Sequence, residues 1–270
     1  ADERRGMPTP HRTLADYHAV QSWIGSSTDF GRHGAILVGD FLFSAATAAA
    51  DEQALALRED CARAFSRRFA DMHAEVALGQ YLDITAEQTP LDPERTDALS
   101  TSDSLEVALH KSAHYSVVHP ALLGAICGAS SFDCVADLLD VLETILTPWG
   151  LAFQLRDDDL GVFGDPAVTG KPAGDDLREG KRTALLALTW EASSPAERRA
   201  LTDVLGVAEA SAEQIATATD IVERNGRAAH EAEIARLVAD GDAALEASTF
   251  DEDARAMLRE LCSILTARRA

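Results

Sequence analysis

Phe153-Gln154-Leu155-Arg156-Asp157-Asp158-Asp159-Leu160 is the stretch on which both fold and chemistry turn. Apolar residues lead into it from about Asp133, and their spacing predicts a long helix over 133–160, with Pro148 placed to kink or divide it. Three adjacent carboxylates at the end of an apolar helix are costly. Like charges repel, burial worsens the repulsion, and the helix dipole disfavours negative charge at a C-terminus. Two readings follow: an acidic helix end facing solvent, or a seat for a hard cation. Mg²⁺ prefers carboxylate oxygens combined with substrate phosphate.

The next stretch separates them. Residues 161–180 carry five glycines and two prolines and predict a long polar loop. Within it run Gly164-Asp165, Gly170-Lys171 and Gly174-Asp175-Asp176-Leu177, followed by Gly180-Lys181-Arg182-Thr183. Glycines admit a ligand close to the backbone, and lysines supply point charges for phosphate. Acids that hold a metal, alternating with bases that hold phosphate, suit a diphosphate ester.

Working outward, the pattern is helical throughout. Residues 1–12 read as a loop. A break at Gly25–Gly31 precedes an apolar stretch over 34–50, with Gly39-Asp40 inside it, that predicts a buried helix. Leu55, Leu57, Cys61, Phe65, Phe69, Met72 and Val76 predict a second long helix over 52–80. The segment 85–95 is a connection, and 102–119 is helical up to Pro120. Amphipathic helices are predicted over 182–191, 195–206, 210–224, 226–247 and 251–268, with Ser194-Pro195-Ala196-Glu197 and Ser211-Ala212-Glu213-Gln214 as starts. No repeat or linker interrupts this pattern, so the expected architecture is one all-α bundle over 1–270.

Composition agrees. The 270 residues are 46% hydrophobic and carry a formal net charge of −21. Such a chain does not suit nonspecific nucleic-acid binding, because phosphates would repel it. No uninterrupted apolar run reaches the roughly 18 residues of a spanning helix, and the N-terminus is polar. Cys61, Cys127, Cys134 and Cys262 lack zinc-type spacing, which reads as a reduced, cytoplasmic protein. His110, His114 and His119 lie four and five apart. They read as core or surface histidines, with a transition-metal site as the alternative.

Phe153 to Thr183 resembles, nearly throughout, the second aspartate-rich motif and following loop of the trans-isoprenyl diphosphate synthases, the polyprenyl synthetase family. Other stretches agree in order: Arg4-Arg5-Gly6-Met7-Pro8-Thr9-Pro10-His11, Gly39-Asp40, Gly79-Gln80-Tyr81-Leu82-Asp83 and Lys111-Ser112-Ala113. The chain departs from the pattern in two places. The family's first Asp-Asp-x-x-Asp would precede Ala1, so the chain reads as a domain truncated at its N-terminus and short of part of the metal site. Gly161 also stands where the second motif has its third Asp.

The resemblance implies a single-domain isoprenoid-synthase bundle with a central active-site cavity. It implies a Mg²⁺-dependent prenyltransferase that condenses isopentenyl diphosphate with an allylic diphosphate into a longer all-trans product, and usually a homodimer. Asp157, Asp158 and Lys171 are the implied catalytic residues, with Asp157 and Asp158 holding Mg²⁺. Arg4, Lys111, Ser112, Gln154, Lys171 and Lys181 would line the allylic diphosphate site, and Arg5 would help hold isopentenyl diphosphate. Gln80 and Asp83 either support the site or make a local structural hydrogen bond. A class I terpene cyclase and a noncatalytic partner subunit are the competing readings.

Overall fold

The computed structural model describes residues 2–4, 6–164, 174–207 and 209–267. The chain divides into two compact units, Ala1–Ser66 and Arg67–Ala270. In the first, β1 (Glu3–Arg4) pairs antiparallel with β2 (Met7–Pro8). Helix α1 (Pro10–Val20) begins on a proline, whose missing N–H costs nothing in a first turn. Helix α2 (Ser27–Leu55) is capped by Ser26, whose hydroxyl accepts from the Asp29 N–H at 3.2 Å. The expected loop over 1–12 is therefore a short hairpin and the start of a helix.

Helix α1 lies close on α2 because Gly31 and Gly34 present no side chains there. A methyl group at Gly31 would strike the His11 carbonyl, and one at Gly34 would strike Leu14. The rest of α2 corrects two expectations. Only Gly31 and Ala54 are buried along it, while Ile36, Leu37, Phe41, Leu42 and Phe43 are exposed. A long apolar helix with one short partner in its unit cannot bury its whole circumference. Helix α2 is also long and apolar enough to cross a membrane, by length and composition only. Reading for an unbroken apolar run missed this, because Asp40 interrupts the run without lowering the window average far.

Helix α3 (Glu59–Gln88) continues from the first unit into the second. The second unit follows with a 3₁₀ turn (Thr96–Ala98), α4 (Thr101–Ala108), a π-helical segment (Leu109–Val118) and α5 (His119–Gly128). Pro120 sits in the first turn of α5 and does not end the helical path. Helix α6 (Ala136–Phe163) keeps Pro148 in its interior and remains one element. Its inner face is dry: Ile145, Leu146, Trp149, Ala152 and Leu155 are fully buried.

Next come α7 (Asp175–Glu179), α8 (Ala184–Ala192), α9 (Pro195–Thr202), α10 (Ala212–Asn225), α11 (Arg227–Ala247) and α12 (Glu252–Thr266). Both expected helix starts are capping boxes, Ser194 with Glu197 and Ser211 with Gln214. One core gathers Leu185, Trp190, Leu201, Ile221 and Val222, and another gathers Ala152, Leu155, Ala184, Ile234 and Leu237. Apart from the β pair, the described residues are helices and their connections, as the all-α expectation requires.

Two glycines fix the π segment between helices. A methyl group at Gly79 of α3 would collide with the His110–Lys111 backbone, and one at Gly150 of α6 would press on Ala113. Gly79→Ala should therefore lower the melting temperature, at a cost of about 1–3 kcal/mol from overpacking. Gly124→Ala is the control. Its methyl would meet nothing within 4 Å inside α5, so thermal denaturation should show no loss.

Candidate active site

The three aspartates at the end of α6 have three different environments. Asp157 is exposed, whereas Asp158 and Asp159 are buried. The Gln154 amide, one turn earlier, donates to Asp158 Oδ1 at 2.7 Å. Burial pushes the Asp158 carboxyl up to about 8, and the Asp176 and Asp157 charges add to the rise against the Gln154 hydrogen bond and Lys181. Asp159 turns to cations instead: Arg227 Nε is 3.3 Å from Oδ1, and Arg156 is 3.9 Å from Oδ2. Arg156 also clamps Glu231 through two hydrogen bonds of 2.5 and 3.0 Å, and Arg227 stacks over Phe163 at 4.2 Å. Burial still raises the Asp159 carboxyl above its usual range, with Arg227 opposing.

Gly161 explains how a fourth carboxylate enters. A methyl group there would fall inside the Asp176 carboxylate. The side-chain-free position is thus filled by Asp176, which the loop brings back against α6. Gly174 and Gly180 bracket α7 with φ of 73° and 79°, the left-handed conformation glycine tolerates. Lys181 donates to Asp176 and lies 3.2 Å from Glu179. Burial would lower the Lys181 ammonium, yet Asp176 and Glu179 hold it above the ordinary lysine range.

The second cationic group comes from the π segment. Lys111 donates to Asp83 of α3, and the Gln80 amide donates to the same carboxylate oxygen at 3.1 Å. Asp83 and Ser112 are both buried. Glu87, one turn beyond Asp83, joins the two groups. Burial raises its carboxyl, and it feels Asp83, Lys111, Lys181 and Glu179 together.

Among the expected site residues, Gln154, Asp157, Asp158 and Lys181 gather at the end of α6, with Lys111 linked through Glu87. Arg4 lies in β1 of the first unit. Arg5 and Lys171 fall outside the described residues. Asp176, Glu87, Arg156 and Arg227 were not among the expected site residues. Asp176 stood inside the quoted Gly-Asp-Asp-Leu motif and was legible there. Glu87 and Arg227 carried no local signal, since only the packing of α3 and α11 brings them in.

The described site sets an acid-rich helix end beside Lys181, and comparison with known proteins gives the family. The sequence pattern described as polyprenyl synthetase matches residues 1–222. The chain belongs to the polyprenyl synthetase family. It is 31% identical over 224 residues to the geranylfarnesyl diphosphate synthase of Aeropyrum pernix, covering 83% of this chain and 60% of that protein. It is 30% identical over 233 residues to the geranylgeranyl diphosphate synthase of Mycobacterium tuberculosis, covering 84% and 61%. The structure matches the geranylgeranyl pyrophosphate synthase of Corynebacterium glutamicum, complexed with isoprenyl diphosphate and magnesium. That match has a TM-score of 0.87 at 36% identity and covers 100% of this chain and 72% of the other. The chain spans about 60% of the length of the curated relatives it matches.

Two outcomes follow from this geometry. Gly161→Ala should displace Asp176 and lower stability by about 1–3 kcal/mol, read by chemical denaturation. His230 of α11 is fully buried with neither ring nitrogen hydrogen-bonded, and burial holds its imidazole down at about 4 against an ordinary 6.5. Between those values the unfolded chain binds the extra proton, so this contribution is complete above pH 6.5 and is lost as pH falls toward 4. Melting temperature against pH should therefore fall less steeply over that window in His230→Leu than in the parent.

Proposed function

We propose that the chain carries the diphosphate-binding half of a prenyltransferase that joins isopentenyl diphosphate to an allylic diphosphate, giving a longer prenyl diphosphate. The observation that carries this reading is the cluster of Asp157, Asp158, Asp176 and Lys181 at one helix end, with Lys111 electrically linked through Glu87. Carboxylates outnumber cations among the described residues at that end, and burial, with the Asp176 and Asp157 charges added, raises Asp158. An oxygen donor set with surplus negative charge fits Mg²⁺. Asp157 and Asp158 would hold it, and it would supply Lewis-acid charge to the departing diphosphate.

The chain's own residues have distinct parts. Lys111 and Lys181 bring ammonium groups to the diphosphate oxygens as charge develops on them. Asp83 and Asp176 hold those ammonium groups in position, and the Gln154 amide orients Asp158. The family resemblance assigns Ser112, Lys171 and Arg4 to the allylic diphosphate and Arg5 to isopentenyl diphosphate. The allylic cation is attacked by the alkene of isopentenyl diphosphate, and the released diphosphate accepts the proton that leaves. The family pattern covers residues 1–222 and so includes residues of both units, which supports reading them as one functional domain. We place the protein in the cytoplasm as a homodimer, and the exposed apolar residues of α2 support an association surface.

The test supplies the complete protein with Mg²⁺, isopentenyl diphosphate and allylic diphosphates of graded length, measuring released diphosphate and product length. A longer prenyl diphosphate is expected with at least one allylic substrate. Failure with every one sinks the synthase reading and favours a noncatalytic partner subunit. Asp157→Ala should cost on the order of 100-fold or more in turnover, with an unchanged far-ultraviolet circular dichroism spectrum because Asp157 is exposed. Parental turnover in that variant contradicts its metal role.

A further inference from the structure

Away from the acidic helix end, three histidines converge on one carboxylate. Glu75 of α3 places Oε1 at 2.7 Å from His110 Nδ1 and 2.5 Å from His114 Nδ1, while Oε2 is 2.7 Å from His119 Nε2. Sequence spacing alone does not produce this. At 3.6 residues per turn, a step of five residues carries His119 about 140° away from His114 around a helix. The π segment Leu109–Val118 changes that geometry. Its i→i+5 hydrogen bonding widens each turn, so residues four and five apart share a face. π-Helical turns are rare and are frequently found at functional sites. Gly79, one turn from Glu75, lets α3 close onto the same stretch.

The same groups form a donor set that could hold a metal ion. The ligand atoms of Glu75, His110 and His114 all lie within 4.8 Å of one another. A tetrahedral zinc with bonds of about 2.0–2.1 Å needs donors about 3.4 Å apart, so Glu75 Oε1, at 2.7 and 2.5 Å from the two Nδ1 atoms, would move outward by less than about 1 Å to admit it. His110 has the support expected of a metal ligand: its second nitrogen, Nε2, is 3.1 Å from the Glu106 carboxylate. A carboxylate there accepts the Nε2–H and orients the ring, so that Nδ1 could serve as the ligand atom once a metal is bound. His119 is buried, with its other nitrogen unpartnered, and it fixes Oε2 from behind. The three ligands are only partly buried, which leaves room for a water ligand.

We propose that Glu75, His110 and His114 form a zinc-type site, for Zn²⁺ or another borderline divalent transition ion, with Glu106 and His119 as supporting residues. Two imidazoles and one carboxylate do not suit Mg²⁺, which takes oxygen ligands. The site would staple α3 to the π segment that carries Lys111 and Ser112. It stands apart from the residues assigned to the diphosphate chemistry and does not depend on that assignment.

The test is calorimetric titration of Zn²⁺ into tag-free, chelator-stripped protein, with excess Mg²⁺ present to occupy oxygen-rich sites. One equivalent should bind, at micromolar affinity or tighter, with a rise in melting temperature. Co²⁺ should give the visible absorption of a mixed nitrogen and oxygen site. His114→Ala should remove the saturable binding, and Glu106→Gln should weaken it about 10–100-fold. Asp157→Ala should leave it unchanged. His110→Gln, at a more exposed position, provides a second ligand variant whose fold is checked by circular dichroism. Absence of stoichiometric Zn²⁺ binding to the parent overturns the proposal, leaving a purely ionic cluster. Undiminished binding in folded His110→Gln also overturns it.

Discussion

Four carboxylates must share the end of one helix, and the surrounding structure accommodates them by different means. Asp157 stays in solvent, Asp158 accepts from Gln154, Asp159 faces Arg227 and Arg156, and Asp176 is tied to Lys181. Without these arrangements, like-charge repulsion in a partly dry site would push the group toward protonation. Even with them, burial holds the Asp158 carboxyl well above its usual range, and a hard cation with a diphosphate would complete the Asp157 and Asp158 pair.

Glycines make the arrangement compact. Gly161 gives its side-chain space to Asp176, while Gly79 and Gly150 let α3 and α6 close onto the π segment. The same close approach serves two groups of residues on that segment. One pairs Lys111 with Asp83, and the other sets His110, His114 and His119 around Glu75. Each group depends on the backbone of the π segment holding its register.

Much of this was legible in the sequence, for identifiable reasons. Helix starts at Ser194 and Ser211 follow from local capping chemistry, and both are present. The aspartates and loop lysines are contiguous, so a linear motif announces them. Pro120 misled because a proline reads as a stop, yet the first turn of a new helix accepts it. Helix α2 misled because an apolar stretch predicts burial only where a partner covers it. The three histidines stood out in the sequence, with a transition-metal site as the alternative reading, but Glu75 carried no local signal. Their convergence needs a π-helical turn and a second helix, and neither is written in the spacing of 110, 114 and 119.

The central claim is that the end of α6 and its following loop form a metal-assisted diphosphate clamp. The most direct measurement is calorimetric titration of inorganic diphosphate into the complete protein, with and without Mg²⁺. The account predicts saturable binding that requires Mg²⁺ and weakens when Lys181 is replaced by Gln. Binding of equal affinity without Mg²⁺, or no binding in its presence, would contradict it.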